Sequence, residues 1–358
     1  MTALCLRKED KTGEWRVPVT PDGVRELIAA GIHVTVERSD HRVFSDTEYE
    51  QAGAVMTLQN WWQAPVDTII IGLKELAESA TAISHRHIYF SHTFKGQEGS
   101  ALVLQRYAEG GGAIFDLEFL QDDSGRRIAA FGYWAGYVGA ALAMLGLAHY
   151  SHSDSAHPGL SRFKDRQHLI DTVNRSLNNA PARVMVMGAL GRCGSGAIDL
   201  LKSLAAPLDI SAWDIAEFNA AAKPIKEIIK HDVFVNCVYL REKIQPMIDP
   251  LLLSENRRLR IVSDVSCDPN NPNNPIAVYD AITSLDIPFR RAKGSDPFPV
   301  FVQAIDHLPT LLPREASDEF ASALLPHLKA FLLADDLPPV WRNACNSFKL
   351  AMGSYGLR

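Results

Sequence analysis

A chain of 358 residues, 47% hydrophobic and 22% charged, has the composition of a globular protein long enough for two domains. Its net charge of −6, with no basic block, gives no footing for nucleic acid or an anionic membrane surface. No apolar run reaches the length of a membrane span and the first ten residues lack a signal-peptide core, so a cytoplasmic protein is expected.

The first 130 residues alternate between strand and helix patterns. At 20–31, Thr20 can cap a helix, Pro21 suits its first turn and Gly31 its end; 32–37 then reads as a strand. The apolar run 66–72 predicts a strand covered on both faces, and 87–91 and 113–116 predict two more. This alternation predicts an α/β fold with a parallel sheet and helices on both faces. Residues 135–150, rich in Ala and Gly, read as a buried helix between domains, and 165–178 as an amphipathic helix after a polar loop. A second α/β domain follows, with strands at 184–188, 208–214, 233–239 and 260–264. Residues 268–275 form a Pro/Asn loop, and helical patterning returns from 308 onward.

The most informative segment is Gly188-Ala-Leu-Gly191-Arg192-Cys193-Gly194, set between a strand pattern and a helix pattern. That geometry places a pyrophosphate on a helix N-terminus. Gly188 can make the tight turn, Gly191 lets backbone N–H groups approach a phosphate, and Gly194 lets the helix pack close to the strand. The spacing departs from G-x-G-x-x-G and by itself also describes an ordinary glycine turn. Asp214 ends the next strand pattern, 26 positions after Gly188. A carboxylate there binds a ribose diol and repels a 2′-phosphate, which points to NAD rather than NADP.

In the first domain, Lys74 and Glu75 follow one strand pattern, and His92, Lys95 and Gln97 follow the next. Parallel strands end on one edge, so these residues read either as an acid–base cluster or as solvated loop charges. Arg16, Arg126 and Arg127 suit a substrate with several carboxylates, or are surface arginines after turns. The five cysteines (Cys5, Cys193, Cys237, Cys267 and Cys345) form neither a C-x-x-C pair nor a zinc spacing; free thiols and no metal are expected.

Several runs are long enough to carry a family resemblance: Ile70-Ile-Gly-Leu-Lys74-Glu75, Phe90-Ser-His92-Thr-Phe-Lys95-Gly-Gln97, Gly125-Arg-Arg-Ile-Ala-Ala-Phe-Gly132, the glycine-rich segment through Leu201, Asp264-Val-Ser266, and the run from Ile305 to Ser317. In these the chain resembles, almost end to end, the fungal-type NAD-dependent, lysine-forming saccharopine dehydrogenases, a family related to alanine dehydrogenase. The resemblance implies two Rossmann-like, doubly wound parallel-sheet domains with the active site in the cleft between them. Residues 1–131 with 310–358 would form the substrate domain and 132–309 the NAD domain. The implied reaction is oxidation of saccharopine by NAD, followed by imine hydrolysis to L-lysine and 2-oxoglutarate, in the aminoadipate route to lysine.

By the same resemblance, Lys74 matches the general base and His92 the general acid. Lys11, Arg16, Glu75, Lys95, Gln97, Arg127, Phe131, Ser266, Cys267 and Asp268 match substrate positions. Arg126, Gly188, Gly191, Arg192, Asp214, Tyr239, Val265, Ile305, Asp306, His307 and Leu308 match cofactor positions. Cys193 and Cys237 match a pair able to form a disulfide beside the cofactor. Two positions depart from the family: Phe218 stands where it has a ribose-side Thr, and Cys267 where it has a small Ala-like residue. Family precedent leans to a monomer acting on small molecules. Two other readings stay open, an opine-type reductase joining a different amine to an oxo acid, and an NAD-binding sensor without turnover.

Overall fold

The structure is a computed structural model that describes residues 2–94, 99–240 and 242–357. The chain divides into two compact units, Met1–Ala130 with Pro313–Arg358, and Phe131–Leu312. Phe131 thus belongs to the second unit, as does the stretch up to Leu312.

In the first unit, strands β1 (Ala3–Leu6), β2 (His33–Glu37), β3 (Val55–Thr57), β4 (Ile69–Ile71), β5 (Arg86–Tyr89) and β6 (Ala113–Asp116) form one parallel sheet in the order β3-β2-β1-β4-β5-β6. The chain runs outward from β1 to β3, then returns to the other side of β1 for β4. That reversal opens a switch point between the ends of β1 and β4, where open α/β sheets hold ligands. Strand β1 is absent from the sequence reading because four residues show too little alternation to register. Tertiary pairing makes it central: Leu4 lies beside both Val34 and Ile69. Helices α1 (Pro21–Ala29), α2 (Asp46–Gln51) and α3 (Ser100–Gly110) connect the strands. The Thr20 side chain caps α1 by accepting from the Gly23 N–H, as the sequence suggests.

The second unit holds β7 (Ala182–Met187), β8 (Leu208–Trp213), β9 (Val233–Asn236), β10 (Ile261–Asp264), β11 (Arg290–Arg291) and β12 (Phe301–Gln303). Their order is β11-β12-β10-β9-β7-β8, parallel except for β11 against β12. From β7 the chain passes to β8 on one side and then to β9 on the other, so this switch point lies between β7 and β9. Helix α4 (Gly132–Tyr150) belongs to this unit and is buried along most of its length. It packs on the sheet, where the Ser263 hydroxyl donates to the Gly139 carbonyl at 3.1 Å. A helix covered all round needs no amphipathic stripe, which explains its unbroken apolar sequence. Helices α5 (Arg166–Leu177), α6 (Arg192–Ser203), α7 (Ile215–Ala220), α8 (Pro224–Ile228) and α9 (Pro250–Leu253) complete the unit. Strand β9 stops earlier than the apolar run suggests, because the Asn236 side chain accepts the Val238 N–H at 3.2 Å and turns the backbone out of the ladder.

The described residues contain neither a helix long and apolar enough to cross a membrane nor a cluster of metal-ligating side chains.

Helices α10 (Pro313–Leu333) and α11 (Pro339–Ser354) return to the first unit. Trp341 is fully buried, its ring 4.7 Å from Phe331 and 6.1 Å from Phe115, and its indole N–H donates to the His327 carbonyl at 2.9 Å. Trp341→Ala is expected to cost about 3–5 kcal/mol, since it leaves a large cavity and removes the indole donor to the His327 carbonyl. Urea denaturation measures this; a loss below ~1 kcal/mol would show that the ring does not anchor the helix.

Candidate active site

Lys74 follows β4 at the switch point of the first unit. Burial pulls its ammonium below the ordinary lysine pKa, Arg16 and Lys11 pull the same way, and Glu14 and Glu75 oppose them. The neutral amine is thereby favoured. Arg16 is buried in a two-pronged pair with Glu14, Nε to Oε1 at 2.7 Å and Nη2 to Oε2 at 2.5 Å. Burial alone would raise the Glu14 carboxyl. The charge and hydrogen bonds of Arg16, with the charge of Lys74, hold it below the usual carboxylate range. Arg16 therefore does not present its whole fork to a substrate; Glu14, unnoticed in the sequence, engages both prongs.

His92 follows β5, the parallel neighbour of β4. The Phe90 N–H donates to the Leu73 carbonyl at 3.0 Å, so the two loops leave the sheet together. His92 has φ 53°, a conformation rare outside glycine. Its ring stacks on Phe90, and Nε2 lies 3.6 Å from Glu75 Oε1. The preceding residue is anchored, Ser91 donating from both N and Oγ to Asp116 at 3.0 and 2.6 Å. Burial works to raise the Glu75 carboxyl, but the charges of Lys74 and His92 outweigh it and bring it below its usual range. An amine whose pKa burial draws down, an imidazole and a carboxylate near both are groups able to exchange protons with a substrate.

The remaining first-unit residues are less gathered. Lys11 is half-buried and close enough to act on Lys74, whereas Arg126 and Arg127 are exposed beside a turn tied by the Asp122 carboxylate. Lys95 and Gln97 lie outside the described residues. Arg7, Glu9 and Asp116 also support these loops; the sequence reading gives Asp116 only as a strand end and gives Arg7 and Glu9 no role. The one signal was Arg7 and Glu9 two positions apart after an apolar run, a spacing that puts both on one side of extended chain.

In the second unit, Gly188 takes φ +82°, and its N–H and that of Ala189 donate to the Trp213 carbonyl at 2.8 and 3.0 Å. A Cβ on Gly194 would stand 2.1 Å from the Gly188 oxygen, so only glycine lets α6 start this close to the turn. Gly191 precedes α6 without a side-chain cap, leaving its first turn without a competing side-chain acceptor. Asp214 is not the last strand residue expected, but the cap of α7, in a capping box with Glu217. One oxygen accepts from Ile215 N at 2.9 Å, and the other from Leu190 N at 3.0 Å, inside the glycine turn. Turn and carboxylate are thus one assembly, and its residue types fit a dinucleotide: a glycine turn leading into a helix N-terminus, beside an anion suited to a ribose diol.

Arg192 opens α6, Tyr239 follows β9, and Val265, Ser266, Cys267 and Asp268 follow β10. Ile305, Asp306, His307 and Leu308 follow β12, with His307 Nδ1 2.5 Å from Asp306 Oδ1. Strand direction places all of them on the sheet edge that carries Gly188. Phe218 packs against the core of this unit, as does Cys267. Burial, then the charges of Asp264, Asp306 and Asp268, push the Cys267 thiol up. Cys193 and Cys237 are free thiols, and the neighbouring Cys193 thiol together with burial raises Cys237 well above the usual thiol range.

The family model "Alanine dehydrogenase/PNT, N-terminal domain" matches residues 5–138. Among solved structures, an L-alanine dehydrogenase superposes with a TM-score of 0.69 at 16% identity, over 97% of this chain and 94% of that one. A transhydrogenase from Sinorhizobium meliloti superposes at 0.62 and 19%, over 92% and 94%. These two share the fold. Sequence likeness is much closer to the saccharopine dehydrogenase (NAD+, L-lysine-forming) of Schizosaccharomyces pombe, 45% identical over 95% of this chain and 96% of that protein. The same enzyme of Yarrowia lipolytica is 44% identical over 95% of each. With this identity over nearly its whole length, the chain belongs to the family of NAD-dependent, lysine-forming saccharopine dehydrogenases.

Proposed function

We propose that this chain oxidises saccharopine with NAD and releases L-lysine and 2-oxoglutarate. The observation that carries the reading is the Lys74–Glu75–His92 cluster, with its lysine pKa drawn down by burial and neighbouring cations, in a chain of this family. NAD, when bound, supplies the hydride acceptor. Gly188, Gly191 and the first turn of α6 would hold its pyrophosphate and Asp214 its ribose; Arg192, Tyr239, Val265 and residues 305–308 would complete that side.

Lys74 in its neutral form takes the proton of the substrate's secondary amine as the neighbouring carbon gives up its hydride, which leaves a C=N bond. Lys74 returns its proton to the imine nitrogen as water adds to this carbon and His92 takes one proton of that water. As the C–N bond breaks, His92 gives its proton to the departing amine and Lys74 takes the remaining hydroxyl proton as the C=O bond forms. Glu75 keeps the two groups in complementary charge states. Saccharopine carries three carboxylates, and Arg127, Lys11 and Arg16 supply the cationic side of its pocket.

The direct test is NADH oxidation in the presence of L-lysine and 2-oxoglutarate, with a panel of other amines. Turnover with another amine but not lysine would overturn the reading. Lys74→Met and His92→Gln should each slow turnover by about 10²–10⁴-fold while NADH binding stays the same. The pH profile gives the sign: the rate falls as pH drops through the depressed Lys74 pKa, because the base becomes protonated. Glu75→Gln removes a charge that favours the ammonium, so this low-pH limb should move to lower pH.

Asp214→Asn keeps a capping oxygen and removes the charge. It should narrow the preference for NADH over NADPH by at least about tenfold, the worth of one partly screened charge contact. An unchanged ratio in steady-state kinetics would place the ribose elsewhere.

Oxidation should join Cys193 to Cys237, since the two thiols are near enough for one to act on the other. The bond would pull on the glycine turn and weaken NADH binding, reversibly by a thiol reductant and not in Cys193→Ser. Cofactor titration with mass spectrometry of the cysteines reads both; a complete bond with unchanged affinity would rule out a regulatory role.

A further inference from the structure

The backbone of Lys74 is held by side chains from the end of β1. Arg7 N donates to the Ile71 carbonyl at 3.0 Å, which brings Arg7 level with Gly72. The Arg7 side chain is fully buried and spends its donors on four acceptors. Nε donates to His87 Nε2 at 3.1 Å, Nη1 to Glu9 Oε2 and the Lys8 carbonyl at 3.1 Å each, and Nη2 to the Lys74 carbonyl. Glu9 accepts in turn from Leu73 N at 2.6 Å and Lys74 N at 2.9 Å. Both backbone polar groups of Lys74 are therefore held by one buried ion pair.

This pair is itself fixed from below. A guanidinium only donates, so His87 Nε2 must accept and Nδ1 must carry the hydrogen. Nδ1 then donates to the Tyr107 hydroxyl at 3.0 Å, and that hydroxyl to Tyr89 at 3.4 Å. Burial, with the charge of Arg7, lowers the His87 pKa far enough to keep the ring neutral, as this arrangement requires. Gly72 completes the seat. A Cβ there would stand 2.4 Å from Arg7 Nε and 2.5 Å from Cζ.

We propose that the Arg7–Glu9 ion pair, seated on Gly72 and steered by the His87–Tyr107 chain, is the device that positions Lys74 for proton transfer; this rests on the reading of Lys74 as the base. Arg7 and Glu9 are positioning residues and touch no reacting atom. The Lys74 amine stands among Arg16, Lys11, Glu14 and Glu75, with His92 beside Glu75. A backbone free to drift carries the amine away from the two cations and toward water, and its pKa climbs back toward the ordinary value. Loss of the clamp therefore reads out as a slower step and as a low-pH limb moved upward.

The experiment measures saccharopine oxidation against pH, NADH binding and thermal melting for the full chain carrying Arg7→Lys, Glu9→Gln or Gly72→Ala. Lysine cannot reach His87, Glu9 and the Lys74 carbonyl together, glutamine satisfies one of the two N–H groups, and alanine pushes the guanidinium off its seat. Each should lower kcat by about 10–100-fold, as a small misplacement of a catalytic group does. The low-pH limb should rise by about one unit, and NADH affinity should hold. Gly72→Ala should add little in an Arg7→Lys background, since both act on one contact. A lower melting temperature with wild-type kcat and an unmoved limb would overturn the proposal, leaving Arg7 and Glu9 a structural role alone. Where the two ion-pair variants, Arg7→Lys and Glu9→Gln, fail to fold, the result for Gly72→Ala decides. Lys74→Met separates the two readings: if it turns over normally, the base assignment fails, and if it is dead while the three variants are normal, only the clamp fails.

Discussion

Carboxylates taken out of water at the ends of parallel strands hold the loops of both units in place. Strands that stop together leave backbone N–H groups with no ladder partner, and a buried carboxylate without donors costs several kcal/mol. Each need meets the other. Glu9, after β1, takes the N–H groups of the loop after β4. Asp116, at the end of β6, takes those of Ser91 after β5 and Glu118 after its own strand. Asp264, at the end of β10, binds the side chains of Asn236 from β9 and Tyr279 at 2.9 and 2.6 Å. In every case one carboxylate ties its own strand end to a segment beyond it, and separating the partners would strand a charge in a dry interior.

The same burial sets the chemistry. Lys74 is driven toward its neutral form chiefly by loss of water, and only then by Arg16 and Lys11. A flexible, solvated lysine at this position would remain an ammonium at neutral pH and could not accept a proton. Rigidity and basicity thus have one origin, the packing of the β1 and β4 ends. Glu14 offsets the neighbouring buried cation, meeting the Arg16 guanidinium with both carboxylate oxygens.

The second unit works by a different economy. There the turn from β7 into α6 is built by leaving atoms out, at Gly188 and Gly194, and Asp214 joins that turn to the start of α7. The carboxylate that suits a ribose is also a helix cap, so its orientation does not depend on a ligand being present. Phe218, one turn along α7, follows the apolar core and not the ribose edge, a substitution that packing explains.

Local chemistry determined much of this protein from its sequence alone. The βαβ alternation, the capped helix after Thr20, the glycine turn and the acidic residue beyond it were all legible, because caps, turns and periodicity act over a few residues. The family runs around Lys74, His92 and Gly188 were legible for the same reason, as contiguous strings. What the tertiary structure decided is everything joined across long loops. Four residues of β1 become a central strand only through their neighbours. The apolar α4 finds its place only as the core of the second unit. Glu9 meets the Lys74 N–H across 65 positions, and Arg16 is already paired with Glu14. No periodicity carries such contacts; they exist because the crossover of a parallel sheet sets down, side by side, strand ends that are far apart in the chain.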